Sequence, residues 1–181
     1  MKVAATAIPD VLLLEPTIHE DERGFFFESF NQKRFEDATR RNVCFLQDNH
    51  SRSVRHVLRG LHYQVHRPQG KLVRVIAGEV FDVAVDLRRS SPTFGKYAST
   101  VLSAANKKQL WIPEGFAHGF LVQSDSAEIL YKTTDYYAPE HERCLIWNDP
   151  DVGIDWPKDS EPKLSAKDRL GLPLSKAEVF A

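Results

Sequence analysis

Residues 71–87 read KLVRVIAGEVFDVAVDL, two runs of β-branched and aromatic residues on either side of Gly78-Glu79. A glycine followed by a polar residue is typical of a tight turn between strands. In the second run one set of side chains alternates with another, Phe81, Val83, Val85 and Leu87 against Val80, Asp82, Ala84 and Asp86. This two-residue period is that of a β-strand with two distinct faces. The segment therefore predicts two strands joined by a turn.

Short strand-forming segments continue on both sides of this pair. Turn residues separate most of them, and the candidates are Val11 to Leu14, Gly24 to Ser29, Cys44 to Asn49, Tyr97 to Leu102, Lys108 to Ile112, Gly119 to Gln123 and Ala127 to Thr133. Many short strands at this spacing predict an all-β antiparallel sandwich or barrel. Helix signals are few: Asn31 is placed to cap a helix running to about Arg40, and Ser165 a shorter one.

Composition narrows the classes of function. The chain has 181 residues, 42% of them hydrophobic and 27% charged, as in an ordinary globular protein with a real core. The 24 basic residues nearly balance the 25 acidic ones, so bulk charge predicts neither nucleic acid nor a membrane as partner. Cys44 and Cys144 are too few for a disulfide scaffold, which indicates a reduced, cytoplasmic setting. We predict one soluble domain over residues 1–181.

A metal site is the first chemical possibility. The segment Pro113-x-Gly115-x-x-His118 resembles the second motif of cupin barrels, and His62 and His66 lie near the place of the first motif. Four residues along a strand separate two histidines by about 13 Å, too far to share one ion. Lys71, a cation, stands where an acidic ligand would be expected. The sequence therefore predicts no metal. It also predicts no nicotinamide or ATP cofactor, because GxGxxG and Walker-type loops do not occur.

Proton chemistry is the second possibility. His62, Arg59, Lys71 and His118 lie in neighbouring β-segments and are candidates to converge on one cavity. Each candidate also has a structural interpretation. A strand histidine is often a buried, hydrogen-bonded residue, a strand-end lysine is often solvated, and Tyr131 alone would be a packing residue. Asp168 follows Ser165 at the spacing of a capping box, which favours a helix cap for that carboxylate.

Eight segments together resemble one known family over nearly the whole length. They are Asp21 to Ser29, Gln47 to Ser51, Val57 to Gln64, Gln69 to Arg74, Ser91 to Gly95, Trp111 to Phe120, Tyr131 to Tyr137 and Trp147 to Pro150. The chain resembles the dTDP-4-dehydrorhamnose 3,5-epimerases, a cofactor-free branch of the cupin-like barrels. The resemblance implies a cupin-like antiparallel β-sandwich or jelly-roll barrel with a few short peripheral helices. It also implies a homodimer, and a dTDP-4-keto-6-deoxy-hexose as substrate.

The resemblance implies a role for each matched residue. His62 is similar to the general base of the family, Tyr131 to the general acid, and Lys71 to the cation that stabilises an enolate. Asp168 matches the residue that orients His62, in place of the local preference for a cap. The matched substrate-binding positions are Arg23, Glu28, Gln47, Asn49, Arg59, Lys71, His118, Glu142 and Lys167, with Phe26 and Tyr137 stacking on the thymine.

The implied activity is conversion of dTDP-4-dehydro-6-deoxy-D-glucose to dTDP-4-dehydro-L-rhamnose, in dTDP-L-rhamnose biosynthesis. The C4 ketone acidifies the hydrogens on C3 and C5, so a base, an acid and a cation suffice without a cofactor. Three alternatives remain open at this point: an epimerase acting at C3 or C5 alone, a non-catalytic barrel that binds sugar nucleotides, and a metal-dependent cupin.

Overall fold

Two antiparallel sheets form the central part of the protein. The computed structural model describes residues 1–157 and 160–181. The strands are β1 (Lys2–Ala5), β2 (Leu12–Glu15), β3 (His19–Asp21), β4 (Gly24–Phe26), β5 (Gln47–Val54), β6 (Leu58–Gln64), β7 (Lys71–Ala77), β8 (Glu79–Asp86), β9 (Tyr97–Ser103), β10 (Gln109–Ile112), β11 (Phe116–Val122), β12 (Ser126–Thr133) and β13 (Glu142–Cys144). The helices are α1 (Gln32–Thr39) and α2 (Ala166–Arg169), with short 3-10 turns at Pro139–His141 and Leu174–Lys176.

The order of the strands defines the two layers of the sandwich. One sheet has six strands in the order β1-β2-β10-β7-β12-β5, and the other has five in the order β13-β6-β11-β8-β9. Strands β3 and β4 form a separate two-stranded hairpin. The fold class is therefore the predicted one, a mostly antiparallel, cupin-like β-sandwich with few helices. No helix in residues 1–157 or 160–181 combines the length and the apolar character needed to cross a membrane.

The turn at residue 78 is a corner between the sheets. The two strands predicted around it are confirmed, but β7 belongs to the six-stranded sheet and β8 to the five-stranded sheet. Gly78 has φ +73°, and a Cβ added there would lie 2.0 Å from the carbonyl oxygen of Ser126. Only glycine fits that backbone without a clash. The segment that predicts the strands thus also turns the chain from one layer of the sandwich to the other.

Three predicted strands differ from the observed strands by three or more residues at one or both ends, and one of them is Gly119 to Gln123, for which β11 begins at Phe116. The candidate Cys44 to Asn49 overlaps β5 only from Gln47, and β5 continues to Val54 through a polar stretch. Alternating exposure along β5, an edge strand, explains why apolar patterning misplaces it. The candidate Gly24 to Ser29 shortens to the three residues of β4. Both helix caps are confirmed: the side chains of Asn31 and Ser165 accept hydrogen bonds from backbone N–H groups three residues later.

The main hydrophobic core lies between the two sheets. The six-stranded sheet contributes Val73, Val75 and Ile129, and the five-stranded sheet contributes Val80, Ala84, Phe116 and Phe120. Because side chains alternate across a strand, Lys71 shares the inward face of β7 with Val73 and Val75. A polar pocket therefore continues directly from the core, between the same two sheets. The assignment of residues 1–181 to one domain stays a prediction.

Candidate active site

One cavity between the sheets collects half of the predicted site residues. It has a volume of about 290 Å³, and its lining is Gln47, Asn49, His62, Tyr63, Gln64, Gln69, Lys71, Tyr131, Tyr137 and Glu142. Both sheets contribute, since β6 carries His62 while β7 and β12 carry Lys71 and Tyr131. A larger cavity of about 500 Å³ lies elsewhere, and its described lining contains no histidine, lysine or tyrosine. The groups suited to proton transfer are those of the first cavity.

His62 forms a short hydrogen bond with a buried carboxylate. Its Nε2 lies 2.6 Å from Oδ1 of Asp168, whose residue is 2% exposed. Burial raises the pKa of Asp168, but the hydrogen bonds from His62 and Ser165 outweigh burial and hold that pKa below its usual value. An ionised carboxylate can only accept hydrogen bonds. The neutral form of His62 therefore keeps its hydrogen on Nε2, the nitrogen that faces Asp168. Its Nδ1 then carries the lone pair of a base.

Asp168 binds the helix N-cap residue Ser165 and His62 at the same time. Ser165 accepts a hydrogen bond from the backbone N–H of Asp168 at 3.1 Å and donates one to Asp168 Oδ2 at 2.7 Å. The other oxygen, Oδ1, receives His62 and the backbone N–H of Gly60, the latter at 3.3 Å. Ser165 is thus the N-cap, and the Asp168 carboxylate binds its hydroxyl rather than a backbone N–H of the helix start, while the other oxygen orients His62. Helix α2 fixes the carboxylate beside His62.

Lys71 is a buried cation at the inner end of the pocket. The residue is 8% exposed, and its Nζ donates to the backbone oxygen of His62 at 3.3 Å. Burial lowers the pKa of Lys71 to about 8, although the negative charges of Glu142 and Asp82 oppose this shift. An ammonium in such a site has lost most of its water, so it interacts strongly with any negative charge that develops beside it.

Tyr131 lies on the other wall of the pocket. It comes from β12, in the sheet that faces β6, so its phenol and the imidazole of His62 approach the pocket from different sheets. Burial raises the pKa of Tyr131, and the positive charge of Arg59 partly opposes this shift. Arg59 itself donates through Nε to Ser53 Oγ at 2.9 Å. The tyrosine is therefore held in its protonated form at neutral pH.

Three further predicted residues form a hydrogen-bonded group at the rim. Tyr137 donates its hydroxyl to Glu142 at 2.6 Å, and Lys167 forms an ion pair with the same carboxylate. Burial raises the pKa of Glu142, but Lys167 and Tyr137 outweigh it and the pKa lies below its usual value. Glu142 in turn raises the pKa of Tyr137 to about 12. On the same rim, Gln47 donates to Asn49 at 2.9 Å.

Six predicted binding residues do not line this pocket: Arg23, Phe26, Glu28, Arg59, His118 and Lys167. Arg23 and Phe26 lie on or beside the β3–β4 hairpin, where Phe26 is 70% exposed. Glu28 is ion-paired with Arg34 outside the pocket. His118 is buried next to it: its residue pairs with His62 across β11 and β6, and its Nε2 contacts the carboxylate of Asp82.

Sequence reasoning did not select three lining residues. Tyr63 and Gln64 directly follow His62, and Gln69 precedes Lys71 by two residues, so each lies inside a segment that had been selected for another residue. Gln64 accepts from the backbone N–H of Ala138 at 2.8 Å and Gln69 donates to the backbone oxygen of Asp135. Their amides hold the loop that carries Tyr137 against the pocket.

One group of potential metal ligands overlaps this pocket. The ligand atoms of His62, Cys144 and Asp168 lie within 4.8 Å of one another. The 2.6 Å separation of His62 and Asp168 is that of a hydrogen bond, whereas two ligands of a tetrahedral zinc ion are roughly 3.3 Å apart. Burial also raises the pKa of the Cys144 thiol to about 12, which disfavours the thiolate that binds metals. The geometry is that of a hydrogen-bonded His–Asp pair.

These features define a cupin-like β-sandwich enzyme with an acid–base pocket between its sheets. The family model described as dTDP-4-dehydrorhamnose 3,5-epimerase matches residues 5–176. The chain belongs to this family. It is 63% identical over 180 residues to the dTDP-4-dehydrorhamnose 3,5-epimerase of Pseudomonas aeruginosa, and the alignment covers 99% of each chain.

Solved structures show the same relationship. The Legionella pneumophila epimerase in complex with dTDP-4-keto-L-rhamnose has a TM-score of 0.96 and 51% identity, over 98% of this chain and 94% of that one. A 3'-monoepimerase from Streptomyces bikiniensis, in complex with dTDP-quinovose, has a TM-score of 0.89 and 35% identity, over 97% and 88%. The fold thus occurs in structures described with different epimerisation outcomes.

Proposed function

We propose that this protein epimerises dTDP-4-dehydro-6-deoxy-D-glucose at C3 and C5, to give dTDP-4-dehydro-L-rhamnose. One observation carries the proposal. The His62–Asp168 pair and Tyr131 enter a single pocket from facing sheets, and Lys71 lies in the same pocket. Inversion at carbon needs this arrangement, because the proton leaves from one face of the sugar and returns to the other.

His62 is the proposed base. It removes the proton from C3 or C5, and the electron pair of the broken C–H bond forms a carbon–carbon double bond to C4 while negative charge moves to the C4 oxygen. The imidazolium that results is stabilised by the ionised Asp168 at 2.6 Å. A correctly placed base of suitable pKa contributes about 10²–10⁴-fold to such a step.

Lys71 is the proposed stabiliser of the enolate. Its ammonium is buried, and a buried donor acts on a developing oxyanion more strongly than the same donor in water. Loss of one such donor typically costs about 10²–10³-fold in rate. The pKa of about 8 leaves Lys71 mostly protonated at neutral pH, which this function requires.

Tyr131 is the proposed acid. Its hydroxyl delivers a proton to C3 or C5 from the side opposite His62, which forms the inverted centre and leaves a phenolate. Solvent returns a proton to the phenolate and takes one from the imidazolium, so the cycle is neutral. The raised pKa of Tyr131 favours the protonated resting form that an acid needs.

The remaining predicted residues are proposed to bind the nucleotide. Gln47, Asn49, Tyr137 and Glu142 line the pocket, and Lys167 contacts Glu142 at the rim. Arginine and lysine are suited to the diphosphate, and aromatic rings to the thymine. Arg59 and His118 are also proposed to bind the substrate. With these residues the proposal covers the parts of the substrate beyond the reacting sugar carbons.

A homodimer is part of the proposal. The β3–β4 hairpin exposes Phe25 and Phe26, at 61% and 70%, and holds Arg23 beside them. Large exposed aromatic residues are typical of interaction surfaces. Three predicted binding residues, Arg23, Phe26 and Glu28, do not line the pocket of their own chain. A second subunit that brings this hairpin to the pocket would complete the binding site.

The test is the reaction in D2O with the purified protein, followed by NMR. We expect solvent deuterium at both C3 and C5 and formation of the L-rhamno product. Deuterium at one carbon only would favour a single-site epimerase, for which the 3'-monoepimerase neighbour is a structural precedent. Binding of dTDP with no exchange at either carbon would reject the enzymatic proposal and favour a binding barrel.

A further inference from the structure

We propose that Asp82 is a positioning residue for the epimerisation: its buried carboxylate, held by His118, is the counter-charge that keeps Lys71 protonated and directed into the pocket. This inference rests on the proposed function, because it concerns a charge that the enolate step uses. Asp82 does not line the pocket and would act through Lys71 alone.

Strand alternation places the two residues in the same interior space. Asp82 lies on the face of β8 that carries Val80 and Ala84, both of which belong to the core between the sheets. Lys71 lies on the face of β7 that carries Val73, which belongs to the same core but comes from the opposite sheet. The carboxylate and the ammonium therefore project toward each other's sheet across the interior.

Among the described residues, His118 is the side chain with a nitrogen in contact with Asp82, and it is a cation only when protonated. Asp82 is 0% exposed, and both of its carboxylate oxygens contact Nε2 of His118, at 3.0 and 3.1 Å. Within the described ranges, no lysine or arginine nitrogen lies within 4.0 Å of this carboxylate. A fully buried charge is costly unless another charge or several hydrogen bonds compensate it. The hydrogen bonds of His118 hold the Asp82 carboxylate in place. The electric field of this carboxylate extends into the interior between the sheets.

Lys71 is a buried cation without a close carboxylate partner among the described residues. In the part of the chain that the structure describes, no carboxylate oxygen lies within 4.0 Å of its Nζ. Glu142 and then Asp82 are the charges that raise its pKa against burial. Glu142 already binds Lys167 and Tyr137, whereas no lysine or arginine of the described residues forms an ion pair with Asp82.

Several titratable groups surround Lys71, each from a different strand. They are His62 on β6, Asp82 on β8, His118 on β11, Tyr131 on β12 and Glu142 on β13. Among these groups, Asp82 is a fully buried carboxylate that does not line the pocket. Bound substrate therefore does not displace His118, the side chain that binds this carboxylate. The contribution of Asp82 to the charge of Lys71 is thus present in the free and the bound enzyme.

The substitution Asp82→Asn tests this, because it keeps the shape and removes the charge. We measure kcat/KM for epimerisation between pH 6 and 10. The wild type should lose activity as the pH rises through about 8, the pKa of Lys71. Two charges at interior separations interact strongly enough to shift a pKa by roughly one unit. We therefore expect the alkaline limb to move down by roughly one pH unit, so that activity lost at pH 8 returns at pH 6.5.

Three controls separate charge from structure. Asp86→Asn removes another fully buried carboxylate of β8, one that pairs with Arg88, and should leave the limb in place. Asp82→Glu retains the charge and should also leave it in place, which gives a reading even where Asp82→Asn does not fold. In a Lys71→Arg background, Asp82→Asn should shift nothing, because arginine stays protonated across this range.

The outcomes are distinct. A loss of activity that is equal at every pH in Asp82→Asn, with the limb unmoved, would overturn the inference and indicate a purely structural role. A downward shift in Asp82→Glu would overturn it too. Wild-type protein with no epimerase activity would instead reject the proposed function, and that result is visible before any variant is made.

Discussion

Replacement of Asp168 by asparagine gives the sharpest test of the His62–Asp168 pair. The asparagine oxygen can still accept from His62 Nε2 and from the N–H of Gly60, while its amide nitrogen faces Ser165. The tautomer and orientation of His62 are then retained. What disappears is the negative charge that stabilises the imidazolium once His62 has taken the proton.

The size of the effect follows from that charge. Two unit charges about 4 Å apart interact by about 4 kcal/mol at an effective dielectric constant of about 20. With 1.36 kcal/mol for each tenfold change in rate, the loss is about 10³-fold in kcat. The Nε2–Oδ1 distance of 2.6 Å and the 2% exposure of Asp168 support the use of an interior value for this pair.

The assay is product formation and deuterium incorporation in D2O, at saturating substrate. Asp149→Asn is the matched control, since Asp149 is also 2% exposed but accepts backbone N–H groups of Asp151 and Leu174 outside the pocket. It should lower stability and leave kcat unchanged. A folded Asp168→Asn protein with kcat within tenfold of the wild type would refute the reasoning.

Three further outcomes follow from the same geometry. Tyr131→Phe should lower product formation about 10²–10⁴-fold while deuterium exchange by His62 continues, and equal loss of both would contradict its role as acid. Phe26→Ala should weaken dTDP binding roughly tenfold, as expected for one lost aromatic–base stack, with Phe25→Ala as the exposed control. The lowered pKa of Asp168 stabilises the fold above pH about 4, and this contribution is lost as the pH falls through the lowered value. The stability difference between wild type and Asp168→Asn in urea should therefore shrink between pH 7 and pH 3.5, and a constant difference would argue against the ionised pair.

The strands that the sequence predicts best are those buried on the interior. Segment 71–77 is rich in β-branched residues and segment 80–87 has a two-residue period, and the structure confirms both strands, as β7 and β8. The polar β5 is misplaced, because an edge strand has little apolar signal of its own. That the turn at Gly78 leads to the other sheet was not predictable, since a turn residue shows only that the chain reverses or bends. The pairing of strands is decided by packing over long sequence separations.

The candidate site was predictable only in part, for a similar reason. Local spacing predicted that Asp168 helps to cap a helix. Ser165 makes that cap and binds one oxygen of Asp168, but the other oxygen meets His62 from 106 residues away. No periodic pattern in the sequence predicts a contact between residues so far apart along the chain. His118 was a candidate from its cupin-like segment as well as from the resemblance. Its partner Asp82 was selected by no pattern, because a carboxylate within an alternating strand is usually interpreted as a surface residue.

The separation of the two sheets has a chemical meaning. His62 and Tyr131 are attached to different layers, so the distance between the proposed proton acceptor and proton donor depends on the gap that the core residues hold open. Facing sheets pack about 10 Å apart, enough for one sugar ring with a side chain above and another below it. Side chains such as Ile129 and Phe120, which never meet substrate, thereby act as a spacer for the reaction. A smaller side chain at either position would shift the proposed acid and base relative to the sugar ring. The rate of catalysis would then change with the packing.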